Sequence, residues 1–353
     1  MPVVSSGRLQ PSIRRKVVPL LAVLAASALV FSACSGDDDK STPASPTAVP
    51  VEQVTFMAGF KPQANLPFVG AYIAQEKGYF SDENLDVDIK HVTTPGDNFK
   101  FLATGEVQFS TADAASLLEK RAGDPPLDFV SIALIGQRGQ QGFAVLTDSG
   151  IASPTDWAGK TAGYKGAQVT PDYLAILAAE GVDRSSVEEV KVGFEPQILT
   201  EGAVDIFPVF VSNEPDTLRR LGYETRVFEA ADYGAPTLGL TYVTTGDLLR
   251  QKPDVVQRFL NAVLRGIRYA DDNHAEAIDI VLKYAPLQQR EHQLYMLETE
   301  LEAAKAGEAQ ASGIGWQTGE QWQRLYDFLT RYGALPGAIA DISAVFTDQF
   351  LGE

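Results

Sequence analysis

The chain is 353 residues long, 45% hydrophobic, with a formal net charge of −17 and a single cysteine. Its length suits one large or two medium domains, and one cysteine excludes an internal disulfide or a multi-thiolate metal site. The acidic balance excludes a nucleic-acid partner, whose phosphates demand a basic surface, and disfavours a polyanionic substrate.

The N-terminal flank up to Lys16 carries Arg8, Arg14, Arg15 and Lys16 and no acid. An apolar run, Val17 to Val30, follows and closes with Phe31-Ser32-Ala33-Cys34. This is the pattern of a secretory signal, and it falls short of the ~20 apolar residues that span a bilayer. The small residues before Cys34 resemble the lipobox of bacterial lipoproteins, with Phe31 where Leu is commoner. The resemblance implies removal of residues 1–33 and acylation of Cys34 as the new N-terminus. Residues 34–50 contain Asp-Asp-Asp-Lys and then mostly Ser, Thr, Pro and Ala, the composition of a disordered tether. The expected location is therefore the extracytoplasmic face of the cell membrane, with acyl chains as the anchor.

From Val51 short apolar runs alternate with amphipathic ones. Strands are predicted at 54–60, 85–92, 107–111 and 129–135, with helices at 66–78, 98–104 and 112–121 between them. The strand 85–92 shows the period of two most clearly, with Leu85, Val87 and Ile89 set against Asp86, Asp88 and Lys90. A strand at 142–146 leaves this unit, and a second series follows: strands 160–164, 189–192, 203–209 and 225–228, with helices 170–180, 196–202 and 214–221. A strand at 237–244 returns to the first unit, and helices at 255–272, 276–284, 290–306 and 320–332 complete the chain. This is an α/β pattern with mostly parallel sheets. Two three-layer lobes are expected, 51–139 with 237–353 and 142–235, joined by a two-strand hinge. Ligands of such open sheets sit at the carboxyl ends of the strands, facing the cleft between the lobes.

The stretch from Asn65 to Phe80, Asn-Leu-Pro-Phe-Val-Gly-Ala-Tyr-Ile-Ala-Gln-Glu-Lys-Gly-Tyr-Phe, resembles the opening of solute-binding proteins for thiamine pyrimidine precursors, riboflavin and alkanesulfonates. So do Asn84 to Val87, Leu102 to Phe109, Asp156 to Thr161, and Asn213-Glu214-Pro215 with Leu221-Gly222-Tyr223. The resemblance covers about 54–245 and implies a type II periplasmic-binding-protein fold that delivers a small molecule to a membrane permease.

Phe60 ends the first strand in Gly-Phe-Lys-Pro-Gln, where the thiamine-precursor branch carries Trp in Asp-Trp-Thr-Pro-Asn. A ring there can stack on a flat heterocycle, and it reads equally as a core phenylalanine. Asn65 opens the following helix. Ser110-Thr111-Ala112-Asp113 stands where a strand becomes a helix, offering backbone N–H groups and hydroxyls to a ligand or a plain cap to the helix. The loop Pro95 to Asn98 has the same two readings. Gln137 and Arg138 lie in the Gly-rich first crossing, where Arg138 reads as an anion clamp or a hinge salt bridge. Tyr164 and Thr170, with Gln168 and Tyr173, cluster after the second lobe's first strand. Phe210, Asn213 and Glu214 cluster after its third. Rings interleaved with amides and hydroxyls suit a flat, neutral, hydroxyl- or amide-bearing ligand, and Glu214 could accept from a ring N–H or a ribityl hydroxyl.

His91, His274 and His292 share no ligand spacing, and the latter two sit in or beside helices that read as scaffold. No nucleophile elbow or metal pair is legible. The cysteine-rich motif of the family's fungal pyrimidine-making enzymes is absent, so binding is expected and catalysis is not. No cofactor is expected. Partners are the ligand, an ABC-type permease and the membrane, with the receptor itself a monomer. The altered Phe60 motif and the amide- and hydroxyl-rich candidates favour riboflavin as the transported ligand. A formylaminopyrimidine comes second, and an alkanesulfonate or nitrate third for want of a basic cluster.

Overall fold

The computed structural model describes residues 50–94 and 96–352; the expected signal segment, Cys34 and the expected tether up to residue 49 lie outside the described residues, as does Pro95. The first half of the chain runs β1 (Glu52–Ala58), α1 (Leu66–Glu76), α2 (Tyr79–Asp82), β2 (Leu85–His91), α3 (Asp97–Thr104), β3 (Phe109–Asp113), α4 (Ala114–Arg121) and β4 (Phe129–Leu134). It continues with β5 (Gln141–Leu146), β6 (Thr161–Tyr164), α5 (Pro171–Ala179), β7 (Glu188–Lys191), α6 (Gln197–Thr200), β8 (Phe207–Phe210), α7 (Glu214–Arg220) and β9 (Thr225–Glu229). Then come β10 (Leu240–Thr245), α8 (Gly246–Gln251), α9 (Pro253–Asp272), α10 (His274–Tyr284), α11 (Arg290–Ala304), α12 (Ala309–Ser312) and α13 (Gly319–Arg331).

The first lobe's sheet has the order β2-β1-β3-β10-β4. β1 pairs in parallel with β2 and β3, whereas β10 is antiparallel to both β3 and β4. The alternating pattern predicts a mostly parallel sheet, and the departure has a topological cause. β4 leaves the sheet toward the second lobe and β10 comes back from it, so the two must run oppositely. In the second lobe β5 lies between β8 and β9, antiparallel to each, while β6 and β7 form a parallel pair tied to the rest by a bridge from Ala162 to Ile206.

Side-chain alternation along the strands builds the layers. In β1, Val54, Phe56 and Ala58 join one core and Met57 joins the other. In β5, Phe143 and Val145 face one side and Ala144 the opposite one. α9 starts on Pro253, which suits a first helical turn because its missing N–H would have no partner there. Its apolar stripe of Val255, Val256, Phe259, Leu260, Val263 and Ile267 is buried against the sheet. Phe259 stacks on Phe109 with ring centres 3.9 Å apart and meets the edge of Tyr242. α1 crosses α9 where Gly70 faces Gly266, and a Cβ on Gly266 would lie 2.2 Å from the Gly70 carbonyl oxygen.

The two crossings between the lobes run side by side. Gly239 N–H donates to the Gly136 carbonyl at 2.7 Å, and Gly139 N–H to that of Thr237 at 3.1 Å. A Cβ on Gly136 would fall 2.6 Å from Gly239 Cα, so this close approach requires glycine. Arg138 adopts the salt-bridge role: it donates to Glu229 Oε2 at 3.0 and 2.7 Å and to Asp232 at 2.8 Å.

Candidate ligand-binding cleft

A cleft of about 730 Å³ opens between the lobes, within the range that holds a drug-sized ligand. Loops at the carboxyl ends of β1, β3, β7 and β8 supply much of its wall, together with α11.

Phe60, Asn65, Thr111, Phe210, Asn213 and Glu214 all line it. Phe60 remains 37% exposed and Phe210 45%, so neither ring is a core residue. Thr111 Oγ1 accepts from Gly59 N–H at 2.9 Å and so sets the turn that carries Phe60. Glu214 is more committed than its position in the sequence implies. Its Oε1 accepts from Lys165 at 2.6 Å and its Oε2 from Phe210 N–H at 2.7 Å. It therefore fixes the loop that presents Phe210.

Ser110, Gln137, Tyr164 and Thr170 do not line the cleft, and each is drawn into structure instead. Ser110 is fully buried and donates to the Met57 carbonyl at 2.7 Å, tying β3 to β1. Gln137 donates to the Leu134 and Trp316 carbonyls at 3.0 and 2.6 Å and accepts from Gln321 at 2.9 Å, which fastens the hinge to α13. Tyr164 packs against the second lobe's core. Thr170 caps α5 by accepting from Tyr173 N–H. The cap of α4 falls to Asp113, which accepts from Ala115 N–H at 3.0 Å.

Sequence reasoning missed three groups, Phe194, Glu300 and His292, and read Asp113 only within a strand-to-helix turn that is either a site or a cap. Phe194, 60% exposed, follows β7 and lines the cleft from the second lobe. Asp113 lines it from the first lobe, with its carboxyl pushed up to about 7, mainly by burial. Glu300 lies on α11, where it accepts from Asn65, from Leu66 N–H at 2.6 Å and from Ser212 at 3.4 Å. Burial outweighs these bonds and pushes its carboxyl to about 7. His292, read from sequence as scaffold, instead bonds Asp216 at 2.7 Å and Asn213 at 3.0 Å across the cleft. Tyr295 adds a bond to the Val211 carbonyl at 3.1 Å. α11 thus packs one face into the first lobe's core and ties the β8–α7 loop with another. Helical spacing of His292, Tyr295, Thr299 and Ala303 is the one signal in the sequence that marks a second working face.

Three of the cations near the cleft are held by acids, while Lys61 at its rim is not. Arg138 is held by Glu229 and Asp232, Arg220 by Asp216, and Lys165 by Glu214. Among the described residues, no cluster of three or more His, Cys, Asp or Glu is placed to hold a metal.

The family model for NMT1/THI5-like proteins matches residues 65–277. The chain belongs to that family. It is 28% identical over 339 residues to the riboflavin-binding protein RibY of Chloroflexus aurantiacus, covering 92% of this chain and 95% of that one. It is 27% identical over 311 residues to a formylaminopyrimidine-binding protein of Halalkalibacterium halodurans, covering 84% and 91%. Among solved structures, the periplasmic aliphatic sulphonate binding protein SsuA of Escherichia coli superposes with a TM-score of 0.63 at 13% identity, covering 83% of this chain and 91% of that one. The periplasmic-binding-protein fold is thereby shared. The basic clamp that an anionic sulfonate would need is not left free here, since Arg138 is bound to two acids.

Proposed function

We propose that this chain is a solute receptor of an ABC-type importer and that its solute is riboflavin. One observation carries the reading: Phe60 from the first lobe and Phe194 and Phe210 from the second converge, exposed, on a single cleft. Exposed rings on facing walls are suited to cover a planar heterocycle, and each well-placed ring pair adds ~0.5–1.5 kcal/mol beyond area burial. Gln140 and Asn213 in the same cleft suit a hydroxylated chain and a ring edge bearing N–H groups. The similarity to a riboflavin-binding protein along 92% of the chain supports the same ligand. In this reading the receptor is tethered outside the cytoplasm by acylated Cys34, works as a monomer and hands its ligand to a permease.

The test is a titration of the full chain with riboflavin, followed by the flavin's own fluorescence. Saturable quenching at micromolar concentration or below is expected. No quenching in that range would sink the riboflavin reading, and saturable heat from a formylaminopyrimidine instead would reassign the ligand to the second candidate.

A further inference from the structure

The cleft's charges are distributed unevenly. Arg138 and Lys165 are each neutralised by acids at 2.6–2.8 Å, and Arg220 shares Asp216 with Arg219. Lys61 stands at the rim beside the Phe60 ring, and among the described residues it makes no ion pair. Among the described residues three acids that line the cleft, the exposed Glu195 and the more buried Asp113 and Glu300, have no cation. Asp113 is held only by Ala115 N–H and by the Gln141 amide at 3.1 Å. Glu300 is held only by the Asn65 amide, Leu66 N–H and the Ser212 hydroxyl. Two side-chain carbonyls of wall residues, Gln140 Oε1 and Gln197 Oε1, are buried without a hydrogen-bond donor. The wall is therefore rich in acceptors and short of donors.

We infer that this cleft rejects anionic ligands, and that Asp113 and Glu300 are the side chains that set the rejection. On the riboflavin reading, the free vitamin is accepted and its 5′-phosphate is refused. A phosphate monoester brings only acceptors on its charged oxygens and would lose its hydration with only Lys61, at the rim, free to replace it. The free ribityl chain ends instead in a hydroxyl, which can donate to an acceptor-rich wall. Two carboxylates at the same cleft add repulsion that water screens poorly in a partly closed site.

The experiment compares riboflavin with riboflavin 5′-phosphate on the full chain at pH 8, both followed by flavin fluorescence. The phosphate is expected to bind about 100-fold more weakly. Asp113→Asn keeps a good helix cap, and Glu300→Gln keeps an acceptor for Leu66 N–H. Each should narrow the gap between the two flavins by about fivefold or more, and an unchanged circular dichroism spectrum with a cooperative melt shows that the variant is folded. Phosphate binding within about threefold of riboflavin in the unmodified protein would overturn the inference. So would a gap that persists unchanged in both variants. If neither flavin binds, the riboflavin reading falls separately. The same comparison with 4-amino-5-hydroxymethyl-2-methylpyrimidine and its phosphate then decides: a phosphate that binds as well as the alcohol overturns the inference, and one that binds far more weakly upholds it.

Discussion

Glu300 shows how a single buried carboxyl links stability to pH. Burial raises it to about 7 in the folded chain, against 4.5 for an unperturbed glutamate. The folded state therefore binds this proton more tightly than the unfolded one. The stabilisation is complete below about pH 4.5 and is lost as the pH rises through about 7. The full loss amounts to roughly 3 kcal/mol, at 1.36 kcal/mol per pKa unit. Glu300→Gln removes the titration, so its melting temperature relative to the unmodified protein should become more favourable between pH 5 and pH 8. An offset that stays constant over that interval would show that Glu300 ionises as freely in the fold as in water. Asp113 titrates in the same window and shifts both proteins alike, which is why the comparison is a difference. None of this was legible from residue 300 by itself, because a glutamate near the end of an amphipathic helix is usually solvated.

At the scale of the element, α9 and α11 divide the work between packing and function. The long apolar stripe of α9 was evident from its spacing, and it lies where that spacing requires, against the first lobe's sheet. Its crossing with α1 was not evident, because nothing local distinguishes Gly70 and Gly266 from other helical glycines. The crossing leaves no room for even a methyl group, since the added carbon of Gly266→Ala would meet backbone that cannot rotate away. Urea unfolding should report a loss of about 3 kcal/mol for that variant, the upper part of the usual range for overpacking. A change of less than about 0.5 kcal/mol would mean that the helices separate easily there. α11 was placed correctly as a helix and assigned too little. Its polar residues look like a solvent face until the β8–α7 loop is brought against them.

For the whole molecule, the proposed anchor and the cleft are separable properties. The proposal that Cys34 carries the acyl chains predicts that Cys34→Ser moves the protein from the membrane pellet to the soluble fraction, with its riboflavin titration unchanged. A variant that stays in the pellet would refute the anchor. The hinge is a property of the molecule in another sense. Gly136 and Gly239 permit the two crossings to touch, and Arg138 braces them to the second lobe. The Gly-rich composition of residues 136–142 marked this stretch for close backbone approach. It did not say which strand would be approached.

By itself the sequence determined the alternation of strands and helices and offered Phe60 and Phe210 as candidate cleft rings, because periodicity and turn residues act locally. Phe60 and Phe210 were readable for that reason. It also determined, through its family motifs, what kind of fold those elements build. Only the tertiary structure decided which polar residues keep a free face. Ser110, Gln137, Tyr164 and Thr170 were spent on backbone ties, packing and a cap, while Phe194, His292 and Glu300 came forward from positions that looked structural, and Asp113 from a turn with two readings. Hydrogen-bond partners and unpaired charges belong to residues far apart in the chain, and they exist only once the lobes are assembled.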